Sequence, residues 1–279
     1  MIAVLLALLS AVCYGTSDFI GGVLSSRVSP WTAAFTGSLV GGVLLAVLST
    51  FTGGHLSLAD AGWGTVSGIG GGIGVTFLYR GLARGRMGVV APLSGVMAAL
   101  VPAVVGLASG ERPSLVAGLG ALLALPASYL VARTPSELSE HDTGPSGATD
   151  GLLAGIGFGI GFASIAQVSP AAGHWPVVVD LLAAAVVIAL AATAARGAWV
   201  PRSWDAALTS VTGVLAAVAL ALFLASTQHG LLTITGIIAS LYPAATVVLA
   251  VVVLRERVHR SQALGLALCA VAVGLVAGG

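Results

Sequence analysis

Ten stretches of apolar sequence follow one another along this chain, each about as long as a bilayer is thick. A helix needs about 20 predominantly apolar residues to cross the hydrocarbon core. The stretches run over 2–22, 31–51, 62–83, 88–109, 114–132, 150–169, 176–195, 205–227, 231–253 and 262–278. They are interrupted at polar or Gly/Pro sites such as Ser29-Pro30, Gly53-Gly54-His55, Glu111-Arg112-Pro113 and His229-Gly230. Most connections are short, so consecutive helices must pack antiparallel. Composition agrees: 8% of the 279 residues are charged, 57% are hydrophobic, and mean hydropathy is +1.06. Soluble domains carry about 25% charged residues. A chain this poor in charge cannot clothe a soluble domain, which excludes a cytosolic enzyme, a nucleic-acid binder and a disordered chain. The expected class is an all-α, multi-pass membrane protein.

One segment differs. Residues 134–150 contain four of the ten acids and no base, and read as an acidic solvated linker. It divides the chain into 1–133 and 151–279, each with five spans. The halves resemble one another. A shift of 145 residues brings Gly85 onto Gly230, Glu111-Arg112 onto Glu256-Arg257, and Leu119-Gly120 onto Leu264-Gly265. Because five is odd, a duplicated half must lie inverted in the membrane. Inverted repeats place a substrate site near the midplane between the halves and suit alternating access.

Several motifs then carry a family resemblance. Tyr14-Gly15-Thr16-Ser17-Asp18-Phe19 resembles the aromatic-Gly-x-x-x-Phe start of an EamA repeat. Phe77-Leu78-Tyr79-Arg80-Gly81-Leu82-Ala83-Arg84-Gly85 resembles the end of its third helix, and Gly110-Glu111-Arg112 its Gly-Glu-Arg signature. Ser240-Leu241-Tyr242-Pro243, with Glu256 beyond it, resembles the second repeat's Pro and Glu. Two departures stand out: Arg255 replaces the Gly before Glu256, and Ala98 stands where Pro243 has its repeat partner. The resemblance, to the EamA family of the drug/metabolite transporter superfamily, extends over nearly the whole chain. It implies ten transmembrane helices arranged as two inverted five-helix EamA-type repeats.

Ionisable groups inside a bilayer cost a few kcal/mol each and are functional candidates by default. Asp18 lies deep in the first helix, as either a cavity carboxylate for a cation or proton or a packing acid bonded to nearby hydroxyls. Arg80 and Arg84 share a helix face and, with Tyr79, offer an anchor for an anionic group. Topology control at a helix end is the better explanation for Arg84 and Arg86. Asp180 follows His174-Trp175-Pro176 closely enough to be a snorkelling or capping acid at an interface. Glu111 and Glu256 mark equivalent helix ends, where local ion pairing or capping is the leading explanation. Pro92 and Pro243 interrupt apolar helices, free backbone carbonyls, and serve as candidate pivots. The candidate cavity set is therefore Asp18, Tyr79, Arg80 and Tyr242. The glycines at 64, 68 and 72 and at 151, 155 and 159 form smooth stripes for close helix packing.

Other chemistry finds no support in the sequence. Cys13 and Cys269 lie within apolar stretches as small hydrophobes, and no Cys/His cluster has zinc spacing. There is no phosphate-binding Gly-x-x-x-x-Gly-Lys-Ser/Thr run, no nucleophile elbow and no His-Glu-x-x-His. The contexts of Asp18 and Asp180 do not match an intramembrane aspartyl protease. No enzymatic activity, cofactor, metal or nucleic-acid partner is expected. Met1–Leu5 lacks the basic stretch of a signal peptide, so the first apolar stretch is expected to remain as a helix.

Connections 1–2, 3–4, 5–6, 7–8 and 9–10 hold nine arginines, and the opposite connections hold only Arg112. The positive-inside rule then puts both termini outside, whereas the family resemblance implies cytoplasmic termini. The chain is read as a secondary transporter in the cell (plasma or inner) membrane, monomeric or homodimeric. It would export a small metabolite, amino-acid-like or drug-like, through a central cavity, with proton coupling as one option. The alternative is a non-transporting membrane scaffold or sensor, which would show no solute flux.

Overall fold

The computed structural model describes residues 1–24, 27–83, 87–132, 146–255 and 259–278. Arg84, Arg86, Arg133, Glu256, Arg257 and most of the acidic linker lie outside the described residues. What is described is helical, with no strand. The helices are α1 (Ile2–Leu24), α2 (Pro30–Thr52), α3 (Leu58–Ala83), α4 (Met87–Ala108), α5 (Leu115–Ala132), α6 (Ser146–Ile165), α7 (Trp175–Ala194), α8 (Trp204–Leu208), α9 (Ser210–Thr227), α10 (Leu232–Ala239), α11 (Tyr242–Leu254) and α12 (Arg260–Gly278). α8 with α9 forms one crossing and α10 with α11 another, giving the ten expected spans. Nine of them combine the length and hydropathy of a membrane helix. α3, rich in glycine and polar at both ends, makes the tenth crossing packed against α6 and α7. Helix α6 begins at Ser146, so Asp150, read from sequence as part of the linker, is helical.

The contacts obey a pseudo-twofold exchange of the repeats. α3 packs on α6 and α7, and its counterpart α9 packs on α1 and α2. α4 packs on α6, as α10 and α11 pack on α1. Three pairs of counterparts meet each other: α2 with α7, α4 with α10, and α5 with α12.

Because lipid is as apolar as the core, residue size separates inside from outside. In α1 the buried positions include Ala3, Ala7, Ser10, Ala11, Gly15 and Ser17, while Leu5, Leu9 and Val12 face outward. Small residues inside let helix backbones approach, and that contact drives association in the absence of a hydrophobic difference. A methyl added at Gly68 would overlap the Asp180 carbonyl of α7, and one added at the counterpart Gly213 would overlap the Gly37 carbonyl of α2. The next crossing repeats the device. A Cβ at Gly15 would lie 2.5 Å from the Tyr242 carbonyl oxygen, and one at Gly159 would lie 3.1 Å from that of Met97. Hydroxyls bridge two further crossings, α1 with α9 and α3 with α6: Ser17 donates to the Thr212 carbonyl at 2.9 Å, and Ser67 to the Gly161 carbonyl at 2.9 Å.

The turns preserve the duplication even where the residues differ. Gly110 has φ +92°, and Arg255, its repeat counterpart, has φ 56°. The arginine thus holds a positive φ where its twin is glycine. Arg196, just beyond α7, also has a positive φ, 54°.

At one membrane face, carboxylates hold the connections. Asp60, in the first turn of α3, accepts from the Ser169 N–H at 2.7 Å and from the Ser57 hydroxyl at 2.6 Å. Glu111 accepts from the N–H groups of Leu232 and Thr233 at 2.7 and 2.8 Å and from the Thr233 hydroxyl at 2.6 Å. A carboxylate across a helix N-terminus satisfies orphan donors and meets the positive end of the helix dipole. Glu111 is thus a cap supplied from another repeat, and Gly106 leaves room for its carboxylate beside Thr233.

Two outcomes follow for thermal unfolding of the detergent-solubilised protein. Gly68→Ala should destabilise by about 1–3 kcal/mol, because α3 and α7 must separate. Gly62→Ala, on the same helix with open space around it, should be neutral or slightly stabilising. Glu111→Ala should cost about 1–3 kcal/mol by stranding buried amide donors, whereas Arg112→Ala should leave the melting temperature almost unchanged.

Candidate functional site

The site is built where α1, α3 and α11 converge between the repeats. Asp18 lies in the last two turns of α1 and Tyr79 in the last turn or so of α3. Tyr242 is the first residue of α11, at the break in the ninth crossing. Asp18 interacts electrostatically with the phenols of Tyr79, Tyr242 and Tyr14. Its side chain is nevertheless exposed. Phenols from two helices besides its own thus face an accessible carboxylate. Among the described residues Asp18 has no hydrogen-bond or ion-pair partner, so the reading of it as a packing acid bonded to neighbouring hydroxyls does not hold. Thr16 donates to the Val12 carbonyl and Ser17 to that of Thr212.

The walls are aromatic. Tyr14 makes an edge contact with Phe162, centroids 6.0 Å apart, and lies 6.2 Å from Tyr242. Phe162 packs on Phe223 at 4.7 Å. Tyr79 stands perpendicular to Trp31 at 5.8 Å. Such rings give rigid apolar area with a polar edge at each phenol.

Of the sequence candidates, Asp18, Tyr79 and Tyr242 come together. Arg80 has its own acid. Its Nε donates to the Asp150 carboxylate at 2.8 Å, its terminal nitrogen donates to the same oxygen, and its guanidinium lies 4.4 Å over the Phe77 ring. Asp150 is wholly buried while the Arg80 side chain is 45% exposed. The pair ties α3 to α6, across the repeats, at the end of the bundle where Asp18 lies. Arg80 is therefore a partly neutralised, partly exposed cation. The pivots divide as well. Pro92 is buried inside α4, which runs unbroken from Met87 to Ala108. Pro243 follows a helix break already made at Ser240-Leu241 and sits in the first turn of α11, where a missing N–H costs nothing.

Asp180 corrects the sequence reading. It is buried between α3 and α7, accepts a hydrogen bond from Ser67, and interacts electrostatically with Tyr14. It neither snorkels nor caps. Tyr14, Phe162, Asp150 and Asp180 were not selected from sequence. A repeat-wide search for aromatics facing the Gly15 and Gly159 crossings would have found the first two. The acids are brought into place only by the tertiary contacts.

At the opposite end of the bundle the connections are tied together by the Asp60 and Glu111 bonds, and by the Ala171 carbonyl, which accepts from the His55 N–H at 2.8 Å. Both cysteines are free thiols, and no cluster of potential metal ligands occurs among the described residues.

Comparison with known proteins places this geometry in context. No curated protein sequence matches the chain. One solved crystal structure superposes with a TM-score of 0.76 at 19% identity, covering 99% of this chain and 98% of the other, which shows a shared fold. The profile of the EamA-like transporter family matches twice, over residues 1–133 and 146–278, one match per repeat. The chain therefore belongs to the EamA-like transporter family, and is a multi-pass membrane transporter of the drug/metabolite type.

Proposed function

We propose that this transporter exports a small organic solute, amino-acid-like or drug-like, by alternating access through the space between its repeats. The observation that carries the reading is Asp18: an exposed, unpaired carboxylate ringed by Tyr14, Tyr79 and Tyr242. A carboxylate among aromatic faces is suited to a cationic amine, through ion pairing and cation–π attraction together. Arg80, half-neutralised by Asp150, would meet an anionic group of the same solute. Tyr79 and Tyr242 would hydrogen-bond or stack on it. In this proposal α10 is the fixed half of the ninth crossing, since all its residues are buried and Glu111 holds its start. α11, with no buried residue, is the half free to move at Tyr242-Pro243. Pro92 is the corresponding point of bending in α4.

Export is the direction that this layout supports. Asp18, Tyr79 and Arg80 lie toward the end of the bundle that also carries Arg27, Arg196, Arg202 and Arg255. The positive-inside rule makes that end cytoplasmic, so the site is open to solutes leaving the cell across the plasma or inner membrane. The energy source would be an ion or proton gradient, or exchange.

The test is solute flux in proteoliposomes, with substrates drawn from a ligand-stabilisation screen. Asp18→Asn should lower flux at least tenfold with an unchanged melting temperature; wild-type flux across pH from this variant would remove the role. Arg80→Leu should destabilise the protein by about 1–3 kcal/mol, because it strands the buried Asp150 charge. Adding Asp150→Asn should recover a large part of that loss. A double-mutant cycle on thermal unfolding that shows no coupling would deny the pairing.

A further inference from the structure

We propose that the outer groove between α2 and α7 is a binding site for an anionic phospholipid, one acyl chain lying in the groove and the phosphate held by Arg196 and Arg202. The groove has a volume of about 640 Å³ and is lined by Phe35, Leu39, Val186, Ala189, Leu190 and Trp199 among others. That volume is in the usual range of ligand sites, about 300–1,000 Å³. Its polar groups are already satisfied. The Trp199 indole N–H donates to the Thr193 hydroxyl at 2.9 Å, and that hydroxyl donates to the Ala189 carbonyl at 2.7 Å. A polar solute finds no partner there, whereas a hydrocarbon chain does.

Charge at the mouth selects the headgroup. Arg196 lies between two lining residues, Ala194 and Trp199, and Arg202 is in the same connection between α7 and α8. Both are exposed, and neither has a carboxylate partner among the described residues; Asp205 faces Arg27 at 4.0 Å. The connection is fixed. The Thr32 hydroxyl donates to the Ala198 carbonyl at 2.8 Å, Gly197 packs on the Trp31 ring, and Trp199 meets Phe35 edge-on at 4.7 Å. Within this anchored turn Arg196 holds φ 54°, closed by an Arg196 N–H to Thr193 carbonyl bond of 3.1 Å and a Gly197 N–H to Ala192 carbonyl bond of 2.7 Å. An arginine needed only for topology could occupy any position of the connection. This one occupies a positive-φ position, which glycine would suit better, next to the groove. Guanidinium forks bind phosphate bidentately, and an aromatic belt residue marks the depth at which headgroups lie.

The proposal concerns the lipid-facing surface and is independent of the substrate assigned to the interior. It is tested on the full-length protein in phosphatidylcholine nanodiscs by quenching of Trp199 fluorescence with brominated-acyl lipids, isolating Trp199 as the difference from Trp199→Phe. Brominated phosphatidylglycerol should quench at a mole fraction several-fold to tenfold below that of brominated phosphatidylcholine. Each arginine removed should reduce the preference about fivefold, from roughly 1 kcal/mol per surface cation. Arg196→Gly is the decisive variant, since glycine fits the turn at least as well and the protein should melt no lower. Ala189→Leu, which fills the groove, should abolish the preference. Equal quenching by both lipids would mean ordinary annular contact and overturn the proposal, as would a preference that survives Arg196→Gly with Arg202→Gln. Absence of quenching by either lipid, with a dimer by mass photometry, would assign the groove to a second copy instead.

Discussion

Close backbone contact at glycine is the constraint on which the rest of this structure depends. Between apolar helices in lipid, hydropathy distinguishes no face from another, and association rests on how near two backbones can come. Gly68 on Asp180 and Gly213 on Gly37 set the spacing of α3 from α7 and of α9 from α2. Gly15 and Gly159 set α1 against α11 and α6 against α4. These crossings hold first-repeat helices on second-repeat helices, and so set the positions of the helices that carry Asp18, Tyr79 and Tyr242. A side chain at any of them would reshape the site without touching it.

The acids make the functional argument sharper than their number suggests. Asp60 and Glu111 are spent on helix starts and connections at one face. Asp150 holds Arg80, Asp180 holds Ser67, and Asp205 faces Arg27. Among the described residues only Asp18 keeps a carboxylate without such a partner, and it is the one that faces the phenols of Tyr14, Tyr79 and Tyr242. An ionisable group kept within a membrane helix without structural employment is costly, which is why its place matters.

The crossings were legible because span length is a one-dimensional property: ten apolar runs, with short breaks, leave little freedom. The duplication was legible from Glu-Arg pairs and spaced glycines. Asp18, Tyr79 and Tyr242 could be chosen because a polar or aromatic group in an apolar run stands out. Partnership could not be read. Nothing in the acidic stretch before Gly151 separates Asp150 from the other acids; it is paired with Arg80 only because α6 crosses α3 there. Asp180 looked interfacial because it follows Trp175-Pro176, whereas α7 carries it into contact with Ser67. Pro243 looked like a kink, but the chain breaks before it, so the interruption belongs to Ser240-Leu241.

The turns at Gly110 and Arg255 show how far two copies of one fold can drift apart. Both hold a positive φ, and only one holds the residue that suits it. A non-glycine residue in the left-handed conformation costs about 1–2 kcal/mol. The second copy has therefore kept the path of the backbone while giving up the side chain best fitted to it, and its connection carries a charge that the first copy's lacks.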